Sequence, residues 1–153
     1  MPQFGSHVSV AGGLHRGIER AKQVGCDCLQ VFTKNNNRWA AKPLDDAAVG
    51  QWQEALRASG LRHPIAHASY LINLAAPDDG LFAKSIDALV DEMQRATRLG
   101  LEGVVVHPGA FTTSCEEDGL KRIVDGTTEV LQRLAGPDAV AEDQRPPDAT
   151  PCR

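Results

Sequence analysis

The feature that most constrains the fold of this 153-residue chain is a repeated strand–helix pattern. Four short apolar runs, at residues 4–9, 28–32, 64–67 and 103–107, each end in a polar or glycine-rich turn. The last run is apolar at consecutive positions, which predicts a parallel strand that is buried on both faces. A segment with apolar residues at helical spacing follows each run, so the pattern predicts four strand–helix units. Parallel strands that are connected by helices indicate an α/β fold with right-handed crossovers.

Four such units equal half of a TIM-type (β/α)8 barrel, which typically takes about 250 residues. A small, open, doubly wound sheet is the alternative architecture. The polar residues favour the barrel, because His7, His67 and His107 lie in or at the ends of predicted strands. A barrel gathers the carboxyl ends of its strands at one mouth, whereas an open sheet binds ligands at a switch point. We therefore predict the first four β/α units of a barrel over residues 1–135.

The chain changes character after residue 135. Residues 143–153 contain three prolines and show no helix or strand periodicity. We predict an irregular tail, aberrant or disordered, over residues 136–153.

Composition narrows the classes of function. The formal net charge of −4 argues against a basic field over the whole surface, but it is compatible with a local basic rim. No apolar run approaches the roughly 18 residues of a membrane span, and the first residues lack the pattern of a signal peptide. Cys26 and Cys28 are separated by one residue, whereas the C-x-x-C pairs of zinc and redox sites are separated by two. Their spacing therefore does not indicate such a site. We expect a cytoplasmic protein with reduced thiols and no membrane partner.

His67 and His107 are the strongest candidates for chemistry. Each ends a predicted strand, and the two strands are consecutive in the chain. Neighbouring parallel strands lie about 4.8 Å apart, so two imidazoles could share a metal ion. The alternative is that each is an ordinary hydrogen-bonded histidine at a strand end. His7 is expected to be a hydrogen-bonded core histidine.

Two loops carry candidate nucleic-acid contacts. The loop after the second strand includes Lys34, Asn35 and Arg38, whose cations and amide suit phosphate oxygens and base edges. Tyr70 and Leu71 follow His67 in a loop with few charges, and such an apolar pair could wedge between stacked bases. The alternatives are an ordinary solvated loop for the first segment and an inward-folded apolar loop for the second.

Several motifs are similar, in order and spacing, to those of the endonuclease IV family. They read G-S-H-V-S-V-A-G-G-L at residues 5–14, F-T-K-N with R-W at 32–39, H-A-S-Y-L-I-N-L at 67–74, D-E-M-Q-R at 91–95 and H-P-G at 107–109. The resemblance extends from about residue 4 to residue 135. It implies an eight-fold β/α barrel with three zinc ions that cleaves DNA 5′ of abasic sites in base excision repair.

The resemblance also implies roles for single residues. His67 and His107 match zinc ligands of the family, and an ungapped count places Glu142 at the next ligand, a glutamate. The loop at residues 33–39 matches a DNA-contacting loop, while Tyr70 and Leu71 match residues that enter double-stranded DNA at the damaged nucleotide. The sequence departs from the family motif at Ala68, where an aspartate is usual, and around Glu142.

Four strands cannot close an eight-strand barrel, so the first and last strands would leave exposed edges that favour self-association. The compositional change near residue 140 suggests a premature stop or a shift of reading frame. Three functions stay open: an endonuclease, active alone or paired with another half; a non-catalytic fragment with residual zinc or DNA binding; and a metal-dependent sugar isomerase or epimerase. The Tyr70–Leu71 pair and the asparagine-rich loop at residues 33–39 favour DNA over sugar.

Overall fold

The computed structural model of the protein describes residues 2–136, which form four strands and four helices in strict alternation. In chain order the elements are β1 (Gly5–His7), α1 (Leu14–Gln23), β2 (Cys28–Val31), α2 (Asp46–Ser59), β3 (Arg62–His67), α3 (Asp79–Leu99), β4 (Gly103–Val105) and α4 (Glu116–Ala135). The strands form one parallel sheet in the order β1-β2-β3-β4. The predicted succession of β/α units is confirmed; residues 137–153, with nearly all of the predicted tail, lie outside the described residues.

The two faces of the sheet differ in burial. Leu29, Val31 and Ala66 point toward the helices and are at most 2% exposed. On the other face, Gln30 and Ile65 are only half-buried, because no described element packs there. The described chain is therefore a two-layer half barrel whose inner face is partly open to solvent.

The helical layer contains two apolar clusters. The first surrounds Trp52, which is fully buried and donates its indole N–H to the backbone oxygen of Leu99 at 2.9 Å. The second joins α3 and α4 through Ile86, Leu89 and Val130. Together they hold the helices against the sheet, so the strand ends that carry the candidate residues rest on a packed layer.

Capping residues set the helix boundaries. Asp45 and Asp78 accept hydrogen bonds from the first turns of α2 and α3, as N-cap carboxylates do. Gly60 and Gly100 end the same helices in the left-handed conformation. Among residues 2–136, no helix has an apolar stretch long enough to cross a membrane.

Strand β4 differs from its sequence-based prediction. The apolar run at residues 103–107 was expected to be buried on both faces, but only Gly103–Val105 is a strand and Val105 is 42% exposed. The cause is that β4 pairs with β3 alone among the described elements, so one edge and the inner face stay open. His107 consequently lies two residues beyond the end of the strand.

Candidate metal and nucleic-acid site

The carboxyl ends of the strands bring five ring side chains together: His7, Phe32, His67, Tyr70 and His107. The ring centroid of His67 lies 5.1 Å from that of His107 and 5.2 Å from that of Tyr70. His7 lies on the other side of His67, with the centroids 6.2 Å apart. Parallel pairing in register produces this cluster, because the ends of adjacent strands meet at one edge of the sheet.

His67 is buried and oriented by the backbone. Its Nδ1 lies 2.8 Å from the carbonyl oxygen of Ala68. Since a carbonyl oxygen only accepts, Nδ1 carries the proton and donates it, which leaves the lone pair on Nε2. This is the arrangement by which an outer hydrogen bond prepares a histidine for a metal. The orienting group is a backbone atom, so the alanine at position 68 does not remove it.

His7 makes a comparable hydrogen bond, with its Nδ1 2.9 Å from Oε1 of Gln30. The expected hydrogen bond is present, but the side chain is exposed rather than in a core. The reason is that His7 lies on the uncovered inner face of the sheet.

A metal ion would find two donors here but not a complete ligand set. The imidazoles of His67 and His107 are close enough to bind one ion. Within residues 2–136, however, no group of three or more His, Cys, Asp or Glu side chains is placed to hold a metal. A zinc site with catalytic function usually has three protein ligands. Glu142, the third predicted ligand, lies outside the described residues, so metal ligation stays a prediction that the two histidines fit in part.

The position of His107 depends on a close contact between two loops. The side-chain amide of Asn73 donates to the backbone oxygen of Ala110 at 3.0 Å, and its oxygen accepts from the Ala110 N–H at 3.0 Å. Gly109 lies directly against this amide, with φ of +113°. A Cβ atom at position 109 would lie 2.0 Å from the Asn73 oxygen and 2.9 Å from its Cα. Only glycine fits, and the loop that carries His107 is thereby fixed to the loop after His67.

We expect Gly109→Ala to destabilise the folded chain by about 2–3 kcal/mol, because it adds the clash with Asn73 to the strain of a positive φ. Gly60→Ala is the matched control. Gly60 also has a positive φ, of +73°, but an added Cβ would have no neighbour within 4 Å, so that change should cost only about 1–2 kcal/mol. Urea unfolding of both variants measures the difference, and equal losses would contradict the proposed contact.

Lys34 lies in a buried network rather than on the surface. Its side chain is 2% exposed, and its Nζ lies 2.6 Å from Oδ2 of Asp91 and 3.7 Å from Oε1 of Glu92. The ammonium therefore already has two carboxylates of α3 as partners. The direct phosphate contact predicted for Lys34 would require this network to open.

Glu92 connects the two candidate DNA loops. Its carboxylate is 1% exposed and accepts from the Thr33 hydroxyl at 2.7 Å and from the Ser69 backbone N–H at 3.2 Å. Ser69 in turn donates its hydroxyl to the Asn36 backbone oxygen at 2.6 Å. Arg95 donates to the Thr33 backbone oxygen at 2.7 Å. The loops after β2 and β3 are thus fixed to each other and to α3.

The remaining predicted DNA contacts are accessible. Asn35 and Arg38 are exposed at the tip of the loop after β2, where the Asn35 side chain accepts from the Asn37 N–H at 2.9 Å. Tyr70 is 59% exposed, and Leu71 beside it is half-buried. Tyr70 also contacts the ring cluster, with its centroid 5.8 Å from that of His107. The exposed ring of Tyr70 therefore lies beside the two histidines, whereas Asn35 and Arg38 are exposed on the loop that Ser69 contacts through Asn36.

Sequence reasoning assigned no role to Glu92, Arg95 or Asn73. A signal was present for Glu92, which stands three residues after Leu89 and four before Ala96 on the apolar stripe of α3. A carboxylate on a buried stripe requires partners, so its position indicates a buried polar network. No comparable signal in the sequence marks Asn73, since asparagine is ordinary in loops.

Known proteins with similar sequences indicate the family of this chain. A family model described as xylose isomerase-like TIM barrel matches residues 18–141. A protein of Trichlorobacter lovleyi named probable endonuclease 4 is 43% identical over 130 residues, which are 85% of this chain and 46% of the relative. The chain spans about half the length of the curated relatives it matches.

Two solved structures also resemble this chain over about half of their own length. The crystal structure of endonuclease IV from Thermus thermophilus matches with a TM-score of 0.76 and 36% identity, over 88% of this chain and 48% of that one. D-psicose 3-epimerase from Clostridium cellulolyticum H10, solved with D-tagatose, matches with a TM-score of 0.61. The match covers 85% of this chain and 47% of the epimerase. At 16% identity the second likeness shows the fold alone.

These matches confirm the TIM-type barrel class over the open doubly wound sheet, and they confirm the resemblance that the motifs indicated. The family model covers most of the chain, and the endonuclease relatives exceed 30% identity. The chain belongs to the xylose isomerase-like TIM barrel family, and within it resembles the N-terminal half of endonuclease IV.

Proposed function

We propose that the chain is a zinc-dependent endonuclease of the endonuclease IV type, which cleaves DNA 5′ of abasic sites in base excision repair and is active alone or paired with another half. The observation that carries the proposal is the pair of imidazoles, His67 and His107, with centroids 5.1 Å apart beside the exposed ring of Tyr70. The identity with the endonuclease relatives supports this chemistry more specifically than the fold does.

His67 and His107 would hold the zinc, with Glu142 as a further ligand. The ion would supply a Lewis acid that stabilises negative charge on the phosphate. The chain itself orients His67 through the Ala68 carbonyl and fixes His107 through Gly109 and Asn73. This rigidity matters because a small displacement of a ligand weakens both binding and catalysis.

The surrounding loops would bind the damaged duplex. Arg38 offers a cation to a phosphate, and Asn35 offers an amide to a phosphate or base edge. Tyr70, which is 59% exposed, and the adjacent Leu71 would enter the duplex at the gap left by the missing base, where little stacking has to be broken. Lys34 would act indirectly, by holding its loop on α3.

A second function, zinc or DNA binding without turnover, is favoured by one observation. The described residues 2–136 supply two ligands and no third. The sugar isomerase or epimerase alternative has only the shared fold in its favour, since the match to D-psicose 3-epimerase is at 16% identity.

Incision of a labelled duplex that contains one abasic site tests the proposal. The purified full chain with added zinc should cut the damaged strand 5′ of the site, leave an intact duplex uncut, and lose the activity in a chelator. His67→Ala should lower the rate by two orders of magnitude or more. His63→Ala is the matched control, because His63 is an exposed histidine of the same strand, paired with Glu102 and remote from the mouth.

The outcomes separate the alternatives. Incision that survives both the chelator and His67→Ala would contradict the metal assignment. Tight binding to abasic DNA without cutting would support the second function, and conversion of a ketose sugar without action on DNA would support the third.

A further inference from the structure

The tip of the loop after β2, residues 35–38, has one polar connection to the rest of the described chain. The base of the loop is held on α3 through the buried carboxylate of Glu92. Within the tip, the side chain and the backbone oxygen of Asn35 accept from backbone N–H groups of the tip itself. Among the hydrogen bonds and ion pairs of residues 2–136, one alone joins the tip to another segment, and its donor is Ser69.

The hydroxyl of Ser69 is both donor and acceptor at this contact. It donates to the Asn36 backbone oxygen at 2.6 Å and accepts from the Leu71 N–H at 3.2 Å. Ser69 is 5% exposed, so water has little access to compete for either partner. Its own N–H donates to the Glu92 carboxylate at 3.2 Å, which fixes the backbone from which the hydroxyl projects. One side chain therefore connects the loop after β3 to the tip.

Ser69 stands between residues with different proposed tasks. Tyr70, which would enter the gap left by the missing base, follows it directly in the chain. On the other side of the hydrogen bond, Asn36 is two residues from Arg38, which would meet a phosphate. The ring of Tyr70 also contacts that of His67, with the centroids 5.2 Å apart. The Ser69 bond therefore relates the position of the tip to that of Tyr70 and of the candidate metal ligand.

We propose that the Ser69 hydroxyl makes Tyr70 and Arg38 act as one unit in recognising an abasic site, an inference that rests on the proposed function. Ser69 is then a positioning residue that sets specificity. An aromatic ring in a gap and a cation on a phosphate can contact one duplex together only at a fixed separation. When the loops are joined, the entropy lost in ordering the first contact also orders the second. An intact duplex offers no gap to Tyr70, so the Arg38 contact stands alone there.

Affinities for two duplexes test the proposal. With zinc bound, the full chain should prefer a duplex with one abasic site over the intact duplex, and a phosphorothioate linkage 5′ of the site slows incision during the measurement. Ser69→Ala should weaken binding to the abasic duplex by about fivefold or more and leave binding to the intact duplex unchanged. An unchanged preference, or an equal loss for both duplexes, would overturn the inference alone. No preference in the unsubstituted chain would overturn the proposed function as well.

A double-variant cycle distinguishes positioning from a general effect on stability. In the chain with Ser69, Tyr70→Ala and Arg38→Ala together should cost less affinity for the abasic duplex than the product of their separate fold-losses. With Ser69→Ala present, the fold-losses should multiply, because the two contacts no longer share the cost of ordering. A general loss of stability would not produce this change. The same relation between the losses in both backgrounds would overturn the inference.

Ser59→Ala is the matched control. Ser59 is 9% exposed, and its hydroxyl likewise donates to a backbone oxygen, that of Leu56 at 2.7 Å, and accepts from an N–H two residues later, that of Leu61 at 3.0 Å. It ends α2 before the amino end of β3, so it lies at the opposite edge of the sheet from Ser69. Its loss should leave the preference for the abasic duplex unchanged, and an equal effect of the two variants would contradict the role of Ser69.

Hydrogen exchange without DNA tests the connection between the loops independently of the proposed function. Ser69→Ala should speed the exchange of the Leu71 N–H and of the amides at residues 35–38, because both segments lose their common partner. Ser59→Ala should leave both segments unchanged. If the tip exchanged at the same rate with and without the Ser69 hydroxyl, the two loops would not be coupled and the inference would fall.

Discussion

Glu92→Leu is expected to lower the free energy of unfolding by about 3–5 kcal/mol. The substitution keeps the apolar volume but removes the carboxylate that accepts from Thr33 and Ser69. Lys34 would retain Asp91, which is 44% exposed, as the only carboxylate partner of its buried ammonium among the described residues. A domain of this size is stable by about 5–15 kcal/mol, so the variant should lose much of its stability. Urea unfolding followed by circular dichroism measures the loss.

Two further variants separate charge from hydrogen bonding. Glu92→Gln keeps one acceptor oxygen, so it should cost less than Glu92→Leu. Asp91→Asn keeps an oxygen that can accept from Lys34 and leaves Glu92 as its carboxylate partner, so it should cost less than Glu92→Leu. If Asp91→Asn cost as much as Glu92→Leu, the pair with Asp91 rather than the buried carboxylate of Glu92 would hold the loops.

The sequence predicted the parts of the fold that depend on local periodicity. The four strand–helix units are present because apolar spacing and caps such as Asp45 and Gly60 act within a few residues of the chain. Burial of β4 was predicted wrongly. A run of apolar residues fits a strand covered on both faces, but coverage depends on what packs next to it, and Val105 has no neighbour at the open edge of the described sheet.

For the candidate site, the sequence predicted that the two histidines lie close together but not that Lys34 is buried. Consecutive strand ends indicated that His67 and His107 would be close, and the structure gives a centroid separation of 5.1 Å. Lys34 was grouped with Asn35 and Arg38 by charge and loop position alone. Its burial depends on Asp91 and Glu92, which are 57 and 58 residues later in the chain, and no local pattern reports that contact.

His67→Ala and His107→Ala are each expected to lower the affinity of the chain for zinc by about 100-fold or more. Loss of groups that merely orient a ligand typically costs 10- to 100-fold, so loss of a ligand itself should cost at least as much. His67 should show the larger effect, because burial and the bond to Ala68 fix its ring before zinc arrives, whereas His107 is exposed. Isothermal titration with zinc measures both affinities.

His63→Ala provides the matched control for this titration. His63 lies on the same strand as His67, but its side chain is exposed and pairs with Glu102 at 2.8 Å, away from the ring cluster. Its loss should leave the zinc affinity unchanged, which excludes weak binding to any surface histidine as the source of the signal. A double variant of His67 and His107 should lose less than the sum of the two single changes, because two ligands of one ion act as a unit. Strictly additive losses would instead mean that each histidine binds a separate ion, and the shared site between the ends of β3 and β4 would have to be abandoned.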